Sequence, residues 1–310
     1  MSTFEHVLSA RQFSTDELGQ IFEHTDDMRR AVEAGRRQLA TRRTGFVAAT
    51  LFYEPSTRTR LSFESAAVRL GMGLISTENA KEFSSAIKGE TIEDTVRVVG
   101  AYADTIVMRH HEDGTAEKAA AASKVPIINA GDGKNEHPTQ ALLDMYTIRR
   151  EKGRLDNLHV VMGGDLKYGR TVRSLARLLS LYDNNHLSFV SVPELQMRDD
   201  ITAHLDETDT SYTTTDDMFG VLHDADVVYW TRLQKERLGD DKDGSVESSF
   251  VIDQAALQAM SGSATIMHPL PRVGEIDESV DADPRAKYFA QAENGLYVRM
   301  ALLDMLLENT

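Results

Sequence analysis

Five consecutive residues, Ser56-Thr57-Arg58-Thr59-Arg60, place three hydroxyls and two guanidinium groups side by side within the stretch YEPSTRTRLSFESA. Glu54-Pro55 closes an apolar run, and Ser56 or Thr57 suits the N-cap of the helical pattern that follows. The unpaired N–H groups of a first helical turn, together with the helix dipole, attract an anion. Three hydroxyl donors and Arg58 around that turn would form a phosphate cradle without the glycines of a P-loop. Ordinary capping is the alternative, although a cap needs one hydroxyl and not three beside two arginines.

Similar chemistry recurs where other apolar runs end. Arg109 closes DTIVMR, and His137 and Gln140, in GDGKNEHPTQ, follow VPIINA. Arg170 and Thr171 follow LHVVMG by way of GDLKYG, Arg232 and Gln234 follow ADVVYWT, and HPLPR follows SATIM. Each has a bland reading: Arg109 as a surface strand end, His137-Pro138 as a turn, Arg170, Arg173 and Arg177 as a solvated helix face. Five run ends with one kind of chemistry argue for a ligand site, because open α/β sheets bind ligands beyond the carboxyl ends of their strands.

The elements that would carry these residues alternate along the chain. Strands are expected at 46–52, 104–108, 125–128, 158–162, 187–192, 226–230 and 264–267, with amphipathic helices at 61–70, 91–102, 139–150 and 171–182 between them. That alternation predicts an α/β fold of two doubly wound domains, each a parallel sheet flanked by helices. A boundary is expected within or just before the helix that starts at Pro138, because Glu151-Lys152-Gly153 ends it and a fresh strand–helix series begins at Leu158. The polar segment 238–249 reads as a mobile surface loop.

Length and composition agree with two soluble domains: 310 residues, 41% hydrophobic and 27% charged. A formal net charge of −15 opposes nucleic acid and anionic membrane as partners. Basic residues are mostly arginine, suited to fork-shaped contacts with carboxylate or phosphate, though genome composition would give the same bias. With no cysteine there is no disulfide, thiolate zinc site or cysteine nucleophile. Residues 1–18 lack a signal-peptide core, and no run approaches 18 apolar residues, so a cytoplasmic protein is the default expectation.

Some motifs are excluded. Gly163-Gly164 and Gly169 fail the dinucleotide spacing, and no Walker-type loop occurs. His110-His111 is discounted as a metal site on the expectation that neighbours on a strand point to opposite faces. No metal or cofactor is expected. A Ser-His-Asp arrangement cannot be argued from residue order alone.

Taken together, YEPSTRTRLSFESA, KGETIEDT, MRH, NAGDGKNEHPTQALLD, GDLKYGRT, TRLQKER and HPLPRVGEI resemble the catalytic chains of the aspartate carbamoyltransferase family, in that family's order. The carboxyl-terminal YFAQAENGLYVRMALL resembles its last helix. Ornithine carbamoyltransferases are similar at the phosphate end but carry Ser-Met-Gly and His-Cys-Leu-Pro motifs, both absent here, and Lys88 in KGE marks the aspartate branch.

The resemblance implies transfer of the carbamoyl group of carbamoyl phosphate to L-aspartate, an early step of pyrimidine synthesis. It implies a carbamoyl-phosphate domain over 1–136, with a helix at about 290–310 packing back on it, and an aspartate domain over 137–289. Ser56, Thr57, Arg58 and Thr59 would hold the phosphate, and Arg109, His137 and Gln140, with Thr59, the carbamoyl group. Ser84 and Lys88 would reach a neighbouring subunit's site. Arg170, Thr171, Arg232 and Gln234 would grip aspartate, with the backbone of Leu270, also near carbamoyl phosphate, and Pro271, whose bond to Leu270 is cis in the family. Glu54 would link the domains on closure through Arg170 and Arg237. A homotrimer with shared sites is implied, and a separate zinc-binding regulatory chain is permitted.

Overall fold

A computed structural model describes residues 4–35, 37–78, 89–133, 136–232 and 250–308. Nine strands are formed among these residues: β1 (Val47–Phe52), β2 (Gly73–Glu78), β3 (Thr105–His110), β4 (Ile127–Asp132), β5 (His159–Gly163), β6 (His186–Val190), β7 (Ser211–Thr215), β8 (Val227–Trp230) and β9 (Thr265–Met267). The α-helices are α1 (Thr15–Glu33), α2 (Thr57–Arg69), α3 (Ile92–Val99), α4 (Thr115–Ala122), α5 (Pro138–Lys152), α6 (Arg170–Leu179), α7 (Asp199–Glu207), α8 (Phe219–Leu222), α9 (Gln254–Ala259) and α10 (Tyr288–Leu306).

Two compact units result, Met1–Leu142 with Glu293–Thr310, and Leu143–Ala292. The first holds a four-stranded sheet of order β2-β1-β3-β4 and the second a five-stranded sheet of order β7-β6-β5-β8-β9, every pairing parallel. The fold is α/β with two doubly wound parallel sheets. Parallel strands covered on both faces read as short unbroken apolar runs, which is why β1, β3, β5 and β8 were legible. Edge strands β2 and β7, GLISTE and SYTTT, are mostly exposed and carry no such run.

In the first unit a core of Ala49, Leu51, Ile106, Met108 and Ile127 packs against α3 and α4 through Val96 and Ala119. A second device joins α1 to the end of α10. Asp304, with no exposure, takes hydrogen bonds from His24 (2.7 Å), Arg42 Nε (2.7 Å) and Arg43 Nε (2.7 Å). Burial raises the Asp304 carboxyl pKa, but the hydrogen bonds from His24 and Arg42 and the charges of both arginines outweigh it and hold the pKa far below the usual range. In the second unit the core gathers Val161, Val228, Trp230, Leu222, Leu257, Ile266 and Tyr288.

Candidate active site

In the first unit's sheet the strand order reverses between β1 and β3, the switch point at which an open α/β sheet offers a crevice. Phe52 pairs with Arg109 in register, and Tyr53 N donates to Arg109 O (2.9 Å), so the YEPSTRT turn and Arg109 leave the sheet side by side. Ser56 is the N-cap of α2, yet its side chain makes no capping hydrogen bond. Its hydroxyl is therefore not consumed by the helix. Thr57 and Arg58 are exposed, and Thr59 is buried on the same first turn.

The two arginines of the cluster part company. Arg60 pairs with Glu64 (3.1 Å) and Glu78 (2.9 Å), on the side of edge strand β2. Arg58 has no ion pair among the described residues, and partial burial lowers its pKa. Arg109 donates through Nε to Glu54 (3.2 Å) and through Nη1 to Ala130 O (3.4 Å). Burial lowers the Arg109 pKa most, Glu54 opposes this, and the charge of Arg58 lowers it further. Two guanidinium groups thus lie within each other's fields, with one carboxylate bonded to Arg109, a local cationic surplus on a protein of net charge −15.

Strand β4 delivers the next residues. Asp132 accepts from Gly114 N (2.9 Å), Asn129 Nδ2 (3.1 Å) and Glu136 N (3.2 Å), which folds the loop onto the strand end. His137, 5% exposed, precedes Pro138, the first residue of α5. Its Nδ1 accepts from Gln140 N (3.3 Å), so the neutral ring carries its proton on Nε2. The imidazole is built to donate from Nε2.

The second unit repeats the design. Its order reverses between β5 and β8, where Gly163 pairs with Trp230. The glycine pair that fails the dinucleotide spacing is explained here. A Cβ on Gly163 would lie 2.1 Å from Trp230 Cζ3, and one on Gly164 (φ +104) would lie 2.1 Å from Thr231 O. Gly164 N donates to Val190 O (3.2 Å), Thr231 Oγ1 to Gly163 O (3.0 Å), and Asp165 Oδ1 accepts from Tyr168 N (2.9 Å), which shapes the loop into α6. Arg170 and Thr171 open α6, half-buried, and Arg232 stands exposed beyond β8. The solvated-face reading of this helix fails at Arg173, which is buried and paired with Asp200, with Arg177 3.7 Å from the same carboxylate.

After β9 comes the HPLPR turn. Leu270 has φ +53 and a cis bond to Pro271. Both His268 nitrogens serve the turn: Nδ1 accepts from Leu270 N (2.8 Å) and Nε2 donates to Glu275 (2.8 Å). Burial raises the Glu275 pKa, and hydrogen bonds from His268 and the backbone N–H of Val273 outweigh that and bring it below the usual range. Arg272 is bound to Asp281 and lies over the Tyr288 ring at 5.4 Å. Of this motif, Leu270 and Pro271 remain for a ligand.

Ser84, Lys88, Gln234, Arg237 and the expected loop at 238–249 lie outside the described residues. Glu54, expected to engage Arg170 and Arg237, is bonded to Arg109 in this structure. One expectation is corrected. The His110 and His111 rings do not point to opposite faces but stack, with centroids 4.3 Å apart, because β3 ends at His110 and strand alternation stops there. A Ser-His-Asp constellation does occur: His159 Nδ1 lies 3.0 Å from Asp224 Oδ1, and its Nε2 lies 2.8 Å from Ser188 Oγ. Ser188 is 1% exposed and His159 begins β5, at the end of the sheet opposite to the crevice, so no nucleophile is presented there.

Comparison with known proteins bears on this geometry. Residues 5–150 match the family model for the aspartate/ornithine carbamoyltransferase carbamoyl-P binding domain, and residues 156–306 the model for its Asp/Orn binding domain. The chain belongs to the aspartate carbamoyltransferase family. It is 52% identical to the chloroplastic aspartate carbamoyltransferase 3 of Pisum sativum, over 98% of this chain and 78% of that one. The catalytic subunit of the M. jannaschii aspartate transcarbamoylase superposes with a TM-score of 0.93 at 44% identity, covering 99% of both chains. An aspartate transcarbamoylase from Trypanosoma cruzi, solved in complex with carbamoyl phosphate and aspartate, gives 0.90 at 36% identity, over 97% of this chain and 94% of that one. The α2 cradle and Arg109 fall within the residues matched by the carbamoyl-P binding model, and Arg170 and Arg232 within those matched by the Asp/Orn binding model.

Proposed function

We propose that the chain transfers the carbamoyl group of carbamoyl phosphate to the α-amine of L-aspartate, giving N-carbamoyl-L-aspartate and phosphate. The observation that carries the reading is the α2 N-terminus: a capping residue whose hydroxyl is not capping, beside an arginine with no ion pair among the described residues. Ser56, Thr57, Arg58 and Thr59 bind the phosphate. Arg109, His137 and Gln140 hold the carbamoyl group, and His137 Nε2–H donates to the carbonyl oxygen. Arg170, Thr171, Arg232 and Gln234 take the aspartate carboxylates, with Leu270 and Pro271 alongside. Lys88 and Ser84 come from a neighbouring subunit.

In the reaction the amine nitrogen forms a bond to the carbonyl carbon, negative charge gathers on the carbonyl oxygen, and the carbon–oxygen bond to phosphate then breaks. A donor preorganised at such an oxyanion contributes about 3–4 kcal/mol. The amine proton passes to the departing phosphate, so His137 serves as donor and not as base. Holding amine and carbon in line adds several kcal/mol more. Paired carboxylates favour arginine, whose fork binds each in a bidentate manner.

The homotrimer and the cytoplasmic location belong to the same proposal. Exposed Leu61 and Val68, seven residues apart on α2, and Ile75 on β2 support association with a second copy. The test is titration calorimetry with carbamoyl phosphate. Arg58→Gln is expected to weaken binding about 10- to 100-fold, the loss of hydrogen bonds to a charged group, and Arg60→Gln to leave it within twofold. Equal losses in the two variants would refute the cradle.

A further inference from the structure

Leu270 sits in the left-handed region, which a residue with a side chain adopts only where its surroundings impose it. What imposes it is a buried line of hydrogen bonds that reaches far beyond the turn. Leu270 N donates to His268 Nδ1 (2.8 Å), and His268 N donates to Gln291 Oε1 (2.9 Å). Gln291 Nε2 donates to Asp144 Oδ1 (2.6 Å), and Tyr229 Oη donates to Asp144 Oδ2 (2.8 Å). His268, Gln291, Asp144 and Tyr229 are 2%, 1%, 0% and 0% exposed. None of the four can reach a ligand in solvent.

The polarity of this line is fixed from one end. A carboxylate only accepts, so Asp144 turns the Gln291 amide with its NH2 inward and leaves Oε1 for His268 N. Tyr229 lies on β8, three residues before Arg232, while His268 follows β9 and leads to Leu270. Asp144 on α5 and Gln291 on α10 therefore tie together the two strand ends that lead to candidate substrate residues. A buried network whose members are all satisfied holds one geometry, and a half-satisfied one does not.

We propose that Asp144 and Gln291 are positioning residues: through His268 they hold the Leu270 backbone where the substrate meets it. This rests on the reading of Leu270 as part of the aspartate site. Asp144→Asn keeps an acceptor for Gln291 and can donate to Tyr229, so it is the conservative variant. Gln291→Met keeps the volume and removes both hydrogen bonds.

The test has two arms on the full chain. Amide hydrogen exchange read at Leu270 is expected to quicken about tenfold in Gln291→Met and to stay within about twofold in Asp144→Asn, on the usual worth of one hydrogen bond. In turnover with carbamoyl phosphate and L-aspartate, Gln291→Met is expected to raise the aspartate KM about tenfold, with Asp144→Asn near wild type. A lowered melting temperature in Gln291→Met with Leu270 exchange and aspartate KM both unchanged would mean a structural role only and overturn the proposal. If the wild type makes no product, the functional reading fails, and unchanged or quickened Leu270 exchange still decides whether Gln291 positions the turn.

Discussion

Gly163→Ala converts the close approach at the second unit's switch point into a measurable overlap. The added Cβ would stand 2.1, 2.3 and 2.5 Å from Cζ3, Cη2 and Cε3 of Trp230, its register partner across β5 and β8. The indole cannot simply swing away, because it has no exposure and its Nε1 donates to Phe250 O at 2.8 Å. Overpacking of a tight core costs about 1–3 kcal/mol. If the ring moves, its hydrogen bond adds about 1 kcal/mol. A total of about 2–4 kcal/mol lowers the melting temperature of a domain this size by about 4–16 °C. Trp230 is the chain's one tryptophan, so its fluorescence reports the site directly. Thermal melts followed at the Trp230 emission should show the lower midpoint, with a folded-state emission maximum shifted from wild type. Because Arg170 and Arg232 leave the sheet from this pair, the aspartate KM should rise as well. A variant with wild-type midpoint and emission would refute the packing argument.

Asp304→Asn removes a buried carboxylate from two arginines and from its hydrogen bond with His24, and should cost the first unit about 3–5 kcal/mol, toward the lower end because Arg42 is 42% exposed. Since the folded pKa is depressed, the advantage of wild type over that variant should be full above about pH 4 and shrink as pH falls further, as read from denaturant midpoints across pH. Ser56→Ala should leave the melting temperature unchanged within error, where loss of a true cap would cost about 1 kcal/mol, while weakening carbamoyl phosphate in calorimetry; a destabilised variant with wild-type affinity would reverse the assignment. Lys88→Ala should nearly abolish turnover without unfolding the chain, and mixing it with Arg58→Ala under subunit exchange should restore partial activity. No recovery would count against sites shared between subunits.

Much of this architecture is written in local pattern, and the exceptions have physical causes. The apolar runs of β1, β3, β5 and β8 are continuous because both faces of each strand are covered. Strands β2 and β7 escaped because an edge strand need not bury its side chains. Position along the chain located Ser56, Arg109, His137, Arg170 and Arg232 at strand ends, since that is where a parallel sheet presents residues. It could not separate Arg58 from Arg60: the difference lies in Glu64 and Glu78, brought alongside by the fold. Gly163 and Gly164 looked like a failed nucleotide motif until Trp230 and Thr231 appeared beside them. Asp144, Gln291 and Glu275 lie inside motifs that carry the resemblance, yet nothing in their type or spacing marks a role, because a buried polar side chain is told from a surface one by its partners alone.

The most direct test of the central claim is product formation by the purified chain with carbamoyl phosphate and either L-aspartate or L-ornithine, scoring ureido product and released phosphate together. The account predicts N-carbamoyl-L-aspartate and an equal amount of phosphate with aspartate, and neither with ornithine. Product with ornithine alone, or phosphate release without ureido product from either amino acid, would contradict it.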